Sequence, residues 1–408
     1  MSGRSDDSDS PVLLSIIVPT RNRGRYAASM IESILRLEEE DFELVISDNS
    51  EEDLLANWVD RLPRDRRLIY RPVPGLLSMT ENHNRAFAIA TGEFVCLIGD
   101  DDTVLPNIFD ACRYARRHQL DAFTPDTPVR YCWPDMTHRY WGSRQAGNLY
   151  VDSWKGNLWE GNPQREAQKC MRRAGQGTGW LPKLYHGIVR RSLLEALRME
   201  TGAYCFSVSP DVYMGVALAR KVTRQTCTDT PFTIPGSSGN SNSGRAAMRQ
   251  HIGNLKSDPH MVRFKGEVWP DGVPEFFSVE TVWAQAALEA VTRLKWEEML
   301  SAFDFSYLYA LCFSRHPGYR EEIRKAISIH AKAAGNSVTS LWFSAWMHSI
   351  KYFGAKSVYY IKRLARPTPG GYSREYGPYP DVRSAAEFAY TLISKETPPW
   401  IGELSTTK

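Results

Sequence analysis

The sequence contains no uninterrupted apolar stretch approaching the ~18 residues that a bilayer span requires, so no transmembrane helix is expected. Its seven cysteines (96, 112, 132, 170, 205, 227 and 312) are odd in number and form no CxxC pair. That argues against a disulfide framework or zinc ribbon, and for reduced thiols in a cytoplasmic setting. A dominant charge sign is missing too. Lys+Arg number 50 against 47 Asp+Glu, for a net charge of +3, too even for the concentrated basic face that nucleic-acid binding needs. No nucleic-acid partner is therefore expected, and no internal repeat is found. Residues 1–11, MSGRSDDSDSP, lack an apolar signal-peptide core and read as a disordered lead-in. With 42% hydrophobic and 24% charged residues, the 408-residue chain can build a real core in more than one domain.

What is present first is alternation. LLSIIVPT (13–20) is a short apolar run rich in β-branched residues and predicts a strand. RYAASMIESILRL (25–37) places Met30, Ile34 and Leu37 at helical spacing, seconded by Ile31 and Leu35. Further strands are predicted at FELVISD (42–48), RLIYRPV (67–73) and EFVCLIG (93–99), and further helices at DLLANWVDRL (53–62), LSMTENHNRAFAIA (77–90) and, opened by Pro106, PNIFDACRYARRH (106–118). Strands alternating with helices imply a mostly parallel sheet covered on both faces. Such sheets bind ligands beyond the carboxyl ends of their strands. Thr20–Arg23, Asp48–Ser50 and Asp100–Asp102 fall at such ends, so three distant polar clusters should converge.

Beyond residue 121 the pattern loosens. Residues 122–235 are dense in aromatics, with a strand then a helix in YHGIVRRSLLEAL (185–197), a helix from near Pro210–Asp211 and a strand in VTRQTCT (222–228). PGSSGNSNSG (235–244) has the composition of a flexible loop, either a lid or a mobile surface segment. From about 275 to 365 the pattern is helical. Its last helix holds Trp342, Trp346, Ile350 and Phe353 on one face, with Lys351, Lys356, Lys362, Arg363 and Arg366 towards its end. It is expected either to bury its tryptophans in a bundle or to lie on an anionic membrane surface. The expected divisions are the lead-in 1–11, a domain 12–245 with halves 12–121 and 122–245, a helical region 246–366 and an irregular tail 367–408.

One stretch carries the chemistry. FVCLIGDDDTVLP (94–106) runs from buried-strand residues straight into Asp100, Asp101 and Asp102. Three adjacent carboxylates repel one another, so something positive is expected beside them. A hard divalent cation such as Mg2+ or Mn2+ takes carboxylate oxygens, keeps some waters and bridges to substrate phosphates. A solvated acidic turn, with Asp102 capping the following helix, is the plainer alternative.

Four segments in order, LSIIVPTRNRGRYAASMIESIL (14–35), FELVISDNSEE (42–52), NHNRAFAIATGEFVCLIGDDDTVLP (82–106) and SPDVYMGVAL (209–218), resemble the inverting nucleotide-sugar glycosyltransferases of the GT-A fold, family two. The resemblance covers roughly residues 12–235. It implies an α/β, Rossmann-like, mixed but mostly parallel sheet flanked by helices, here followed by a helical region. It also implies metal-dependent transfer of a sugar from a nucleotide-diphosphate sugar, UDP-linked by preference, to a glycan or lipid-linked acceptor in surface polysaccharide or glycoconjugate synthesis. Pro19, Thr20, Arg21 and Arg23 would line the nucleoside pocket, and Asp48 would accept the N3–H of the base. Asn84 and Arg85 would help hold the nucleotide. Asp101 would be the main metal ligand, with Asp100 as ribose or second contact, or Asp100 and Asp102 would form a literal DxD. Asp211 would be the catalytic base, its plainer role being a first-turn aspartate. His186 and Trp180 would touch acceptor or sugar.

The chain departs from the family in places. His83 stands where members often have arginine, no QxxRW motif follows the base, and the loop after the base holds no histidine, His251 being nearby. The missing QxxRW favours addition of one sugar over a processive polymerase. DDDTV also fits the DxDx[TV] motif of haloacid-dehalogenase phosphatases, with Asp100 as nucleophile, but that motif belongs on a first strand. A nucleotidyltransferase would need a glycine-rich loop where PTRNRGRY has one glycine. A non-catalytic carbohydrate-binding scaffold is the remaining alternative.

Overall fold

The computed structural model describes residues 12–239, 241, 244, 248, 252–255, 264, 269–364, 367–394 and 398–401. The lead-in 1–11, His251 and Arg366 lie outside the described residues.

β1 (Leu14–Thr20) and β2 (Phe42–Asp48) are buried along nearly their whole length, as expected of apolar strands covered on both faces. The helix α1 (Gly24–Leu35) between them buries Tyr26, Ala27, Met30, Ile31 and Ile34 on one stripe. After β2 come the short α2 (Leu54–Val59), then β3 (Leu68–Pro72), α3 (Met79–Ile89) and β4 (Phe94–Leu97). A capping box sets the start of α3, Ser78 and Glu81 each satisfying the other's backbone N–H.

Eight strands form one sheet in the order β3, β2, β1, β4, then Ile188–Arg190, Ala122–Pro125, Gln225–Thr228 and Leu158–Glu160. β1 runs parallel to β2 and β4, while Ile188–Arg190 and Leu158–Glu160 run antiparallel to their neighbours. The mixed, mostly parallel α/β sheet expected from the alternation is thus present. Register places Thr20 beside Asp48, at the carboxyl ends of β1 and β2. A smaller sheet, Gly236–Ser237, Val129–Cys132, Leu149–Val151 and Arg374–Tyr376, stands beside this edge.

The tail is not irregular as expected. Residues 374–376 add a strand to the small sheet, and Val382–Ile393 is a helix packed on α1. Asp381 caps it by accepting the Ser384 N–H at 2.8 Å. Val382, Ala385, Ala386, Ala389 and Ile393 bury one face. Three of these are alanines, small enough for close approach to α1.

The helical region shares its core with the sheet. Val279–Arg293 packs on Pro210–Lys221, and Ala287, Val291 and Leu308 join one apolar cluster with Ile17, Val45 and Leu97. The long helix Val338–Leu364 buries Leu341 and Ala345, but Trp346, Ile350 and Phe353 are exposed, so it does not bury its aromatic face in a bundle.

Within this region Glu280 is buried and paired with Arg315 at 2.5 Å and His316 at 2.7 Å. Burial alone would raise its pKa; the hydrogen bond and charge of His316, joined by Arg315, instead hold it down to about 2. A carboxyl held below its ordinary value contributes stability above that value and loses it as pH falls. Glu280→Ala is expected to lower unfolding free energy by about 3 kcal/mol at neutral pH. The difference from wild type should shrink as pH falls from the ordinary 4.5 towards about 2, measured by urea unfolding across that window.

Candidate active site

The positive charge among the three aspartates is Arg23. It reaches back from the loop after β1, which is stapled to the turn after β2: Asn22 N–H donates to Ser50 Oγ at 2.8 Å, and Asn22 Oδ1 accepts the Glu51 N–H at 2.9 Å. Arg23 Nε donates to Asp100 Oδ1 at 2.5 Å, and Nη2 lies 2.9 Å from Asp101 Oδ2. Ser238 closes the ring, its Oγ accepting from Arg23 Nη2 at 2.7 Å and donating to Asp101 Oδ2 at 2.6 Å. Thr20 Oγ1 donates to Asp100 Oδ2 at 2.6 Å. The Tyr26 ring lies 4.5 Å from the guanidinium. Burial opposes the Arg23 charge, but Asp100 and Asp101 outweigh it and raise its pKa further.

The carboxylates feel the crowding. Burial raises the pKa of Asp100, against the pull of Arg23. Burial, then the charge of Asp102, raises Asp101 to about 6. Burial raises Asp102 to about 6 despite the N–H groups of Gly236 and Gly99 and the Tyr185 hydroxyl.

The three acids have separate tasks. Asp102 is turned into the fold: Oδ2 accepts from Gly99 N–H at 2.6 Å and Tyr185 OH at 2.8 Å, and Oδ1 from Gly236 N–H at 2.6 Å. With three donors already on it, Asp102 anchors the turn rather than serving as the metal contact expected of it. Asp100 and Asp101 remain as the pair that fits a divalent ion. Mg2+ and Mn2+ take one or two carboxylates and complete their shell with water and phosphate, and Arg23 offsets only part of the acidic charge here. Among the described residues no group of three or more His, Cys, Asp or Glu forms a metal cage. The arrangement therefore suits an ion shared with a phosphate ligand.

Anion-binding capacity lies alongside. Nη1 of Arg21 and Nη1 of Arg23 are buried without a hydrogen-bond partner among the described residues. Buried donors left unpaired are costly, and guanidinium groups pair strongly with phosphate oxygens.

Asp48, at the end of β2, is buried; its Oδ1 accepts from the Ser50 N–H at 2.9 Å and its Oδ2 from Tyr70 OH at 2.7 Å. The first bond is that of an Asp-type turn. Pro19 pairs with Ser47 across β1 and β2 at this same edge. Asn84 does something other than hold a nucleotide. Its amide donates to the carbonyls of Thr80 (3.0 Å) and Cys205 (2.8 Å), and its oxygen accepts from the N–H groups of Tyr204 (2.9 Å) and Cys205 (3.0 Å). With all four valences used, it clamps the segment leading to Asp211 onto α3. Arg85 is exposed on α3, without hydrogen bond or ion pair among the described residues.

Asp211 is exposed in the first turn of Pro210–Lys221, accepting from Ser209 Oγ at 2.5 Å. Its charge is felt at Tyr185, which holds Asp102, and at His83. The acid on this helix and the acidic turn thus share one neighbourhood. Burial pushes His83 down to about 4, so it is neutral, with Nδ1 at 2.7 Å from Met79 O. The segment before Asp211 is fixed further by Ser207, at φ 74°. The Ser207 carbonyl accepts from Thr80 Oγ1, and its hydroxyl donates to Gln285 Oε1 at 2.5 Å.

His186 and Trp180 fall elsewhere. His186 is buried behind the turn, Nδ1 at 2.9 Å from Thr233 Oγ1 and Nε2 at 3.7 Å from Asp102, and burial lowers its pKa to about 3. It is a neutral packing group. Trp180 lies at the far sheet edge, 4.6 Å edge-on to Trp159. A cavity of about 600 Å3 among the helices, lined by Arg172, Asp304 and His330 among others, is formed by residues other than these.

Sequence reasoning missed Ser238, Tyr185 and Gly236. Gly236 lies in the segment read as flexible, yet it pairs with Tyr131 and approaches the turn so closely that a Cβ would stand 1.8 Å from the Asp101 carbonyl oxygen.

Arg23→Ala is expected to lower stability by about 3 kcal/mol, because it leaves buried carboxylates uncompensated. Asp101 already titrates near 6, raised from its ordinary 3.8. Without the guanidinium it rises further, and a group with a raised folded pKa favours the fold at low pH. Thermal unfolding should show a larger deficit at about pH 8 than at about pH 5.

Residues 15–179 match the family model described as glycosyl transferase family 2. Three curated relatives match over short segments. The glycosyltransferase GlyG of Streptococcus pneumoniae is 24% identical over 111 residues, 27% of this chain and 36% of the relative. The GalNAc(5)-diNAcBac-PP-undecaprenol beta-1,3-glucosyltransferase of Campylobacter jejuni is 33% identical over 99 residues, 22% and 30% respectively. An uncharacterized protein of Mycobacterium tuberculosis is 34% identical over 96 residues, 23% and 29%. The chain thus spans about a third of the length of the curated relatives it matches. Among solved structures, Staphylococcus aureus TarS 1–349 in complex with UDP-GlcNAc is 14% identical with a TM-score of 0.44, covering 79% of this chain and 92% of that one. The mannosyltransferase PcManGT of Pyrobaculum calidifontis, in complex with GDP-Man and Mn2+, is 15% identical with a TM-score of 0.37, covering 84% and 89%. Residues 15–179, which carry β1 to β4, the acidic turn and the Arg23 loop, are thus similar to glycosyl transferase family 2.

Proposed function

We propose that this protein is a metal-dependent inverting glycosyltransferase that moves one sugar from a nucleotide-diphosphate sugar, UDP-linked by preference, to a hydroxyl of a glycan or lipid-linked acceptor. The observation that carries the reading is the meeting of a buried Arg23–Asp100–Asp101 cluster, beside two guanidinium nitrogens (Nη1 of Arg21 and of Arg23) unpaired among the described residues, and an exposed carboxylate, Asp211, across Tyr185.

Asp48 accepts N3–H from a uracil-type base, with Ser50 yielding one of its bonds. Thr20 and Pro19 border the nucleoside. The Nη1 groups of Arg21 and Arg23 bind diphosphate oxygens and offset the charge that grows there as the sugar leaves. Asp100 and Asp101 would hold Mg2+ or Mn2+, which would supply Lewis-acid stabilisation of the leaving diphosphate. Asp211 takes the proton of the acceptor hydroxyl as its oxygen attacks the anomeric carbon from the side opposite the diphosphate. The new bond forms as the sugar–phosphate bond breaks, inverting the centre. Residues 12–121 are the donor half, 122–245 the acceptor half, and the helices of 246–366 buttress the Asp211 segment.

Phosphatase chemistry at Asp100 is disfavoured, since the acidic turn follows β4 and not the first strand. A non-catalytic scaffold would show no metal-dependent nucleotide binding. The seven cysteines are all free and buried, which suits a cytoplasmic location. No described helix is long and apolar enough to cross a membrane. The role is synthesis of bacterial surface polysaccharide or glycoconjugate, with peripheral contact at the inner membrane face through Val338–Leu364; the Campylobacter relative's printed name includes a polyprenyl diphosphate.

Asp211→Asn is expected to cut turnover by roughly a thousandfold while UDP affinity, measured by calorimetry, stays unchanged; loss of UDP binding as well would assign Asp211 another role. In Asp101→Ala, the thermal stabilisation by UDP should lose its dependence on Mn2+. A variant that keeps the full metal-dependent shift would remove Asp101 from the ligand set.

A further inference from the structure

The helix Val338–Leu364 has 27 residues, about 40 Å at 1.5 Å per residue. Its inner side packs on Phe305–Arg315 and Arg320–Ala334, with Trp342 4.7 Å from Phe313. Its far end is held by Arg363, which donates to the carbonyls of Thr368 and, at 3.0 Å, Pro369, and lies over Trp141. Among the described residues, nothing covers the outer side in this way. Phe343, Trp346, Ile350, Phe353, Ile361 and Leu364 are 49–77% exposed. At 100° per residue they fall within a single stripe along the helix.

The charge on this helix is one-sided. Across residues 338–364 there is no Asp or Glu, against Lys351, Lys356, Lys362 and Arg363. The loop reached by Arg363, residues 133–148, has one carboxylate, Asp135, which is paired with Tyr26 and Arg25, and it exposes Arg139, Tyr140 and Arg144. Two segments distant in sequence thus supply the same combination of aromatic and basic groups to adjoining surface. Pairing this helix with that of a second copy would bring together two faces that both carry cations and no carboxylate. A nucleic acid would leave the aliphatic stripe in water. The helix is too interrupted by polar residues to cross a bilayer.

We infer that this face is a docking surface for an anionic lipid bilayer, the apolar stripe entering the boundary between headgroups and acyl chains and the lysines pairing with lipid phosphates. The inference rests on the proposed transfer to a lipid-linked acceptor and gives it an orientation. The 133–148 loop follows Val129–Cys132, the strand paired with Gly236–Ser237 beside the acidic turn. Docking of the helix therefore ties the small sheet, which bonds the turn through the Gly236 N–H, to the membrane surface.

The test is flotation of the full chain with phosphatidylcholine vesicles, with and without phosphatidylglycerol. Wild type is expected to partition at least about tenfold more strongly onto the anionic vesicles, with high salt weakening the effect. The triple variant Trp346→Ser, Ile350→Ser, Phe353→Ser should lose about tenfold or more of that binding while keeping its UDP–Mn2+ thermal shift. Lys351→Glu with Lys356→Glu should abolish the preference for anionic lipid. Absence of vesicle binding by wild type overturns the inference. So does a wild-type dimer in sedimentation velocity that the triple variant turns into monomer. Vesicle binding by a protein that shows no nucleotide response supports the docking surface and counts against the transfer reading, so the two fail separately.

Discussion

A guanidinium buried between two carboxylates holds the carboxyl edge of this sheet together. Two like charges about 4 Å apart near a protein surface repel by about 4 kcal/mol at an effective dielectric of 20, and here three carboxylates follow one another in sequence. The fold answers by giving each acid different company. Asp102 goes to backbone N–H groups and a phenol, Asp100 to Thr20 and Arg23, and Asp101 to Arg23 and Ser238. The loop after β1, the turn after β4 and the 236–238 segment are thereby one electrostatic unit.

A second unit holds Asp211. Its segment is fixed from both sides, by Asn84 and Thr80 of α3 and by Gln285 of the helical region. The helices after residue 278 therefore do more than add mass: one of them supports the loop that presents the candidate base. Ser207, held at positive φ between Thr80 and Gln285, shows that this support imposes a backbone conformation that non-glycine residues seldom adopt.

The first half of the sheet was legible because its strands are apolar runs and its helices keep a clean 3.6-residue stripe, so β1 to β4 lie within a residue or two of their expected bounds. The convergence of Thr20, Asp48 and Asp100 followed from the parallel topology alone. The clamp made by Asn84 was not legible, because most of its partners are backbone groups 120 and 121 residues away, which leave no mark on the local pattern. Ser238 and Gly236 were hidden for a similar reason: a glycine-serine run looks the same whether it is loose or pressed against an aspartate turn. The tail helix was a different failure, since its signals were present. Asp381 precedes Val382, Ala385, Ala386 and Ala389 at helical spacing, but the neighbouring Pro, Gly and Tyr residues masked them.

The electrostatics of the acidic turn and the character of the long helix bear on the same ligand. A nucleotide-diphosphate sugar is strongly anionic, and the turn attracts it only when cations outweigh the carboxylates. Arg21 and Arg23 contribute two buried nitrogens unpaired among the described residues, and under the proposed reading Asp100 and Asp101 would hold a divalent ion that brings two charges more. Removing either source leaves the diphosphate facing bare aspartates. The long helix that carries no carboxylate is fastened through Arg363 to Trp141, in the loop after Val129–Cys132. Under the proposed reading, phosphate groups would be met in two different ways: in the crevice by arginines and a divalent ion set among carboxylates, and on the outer face by a helix that carries no carboxylate.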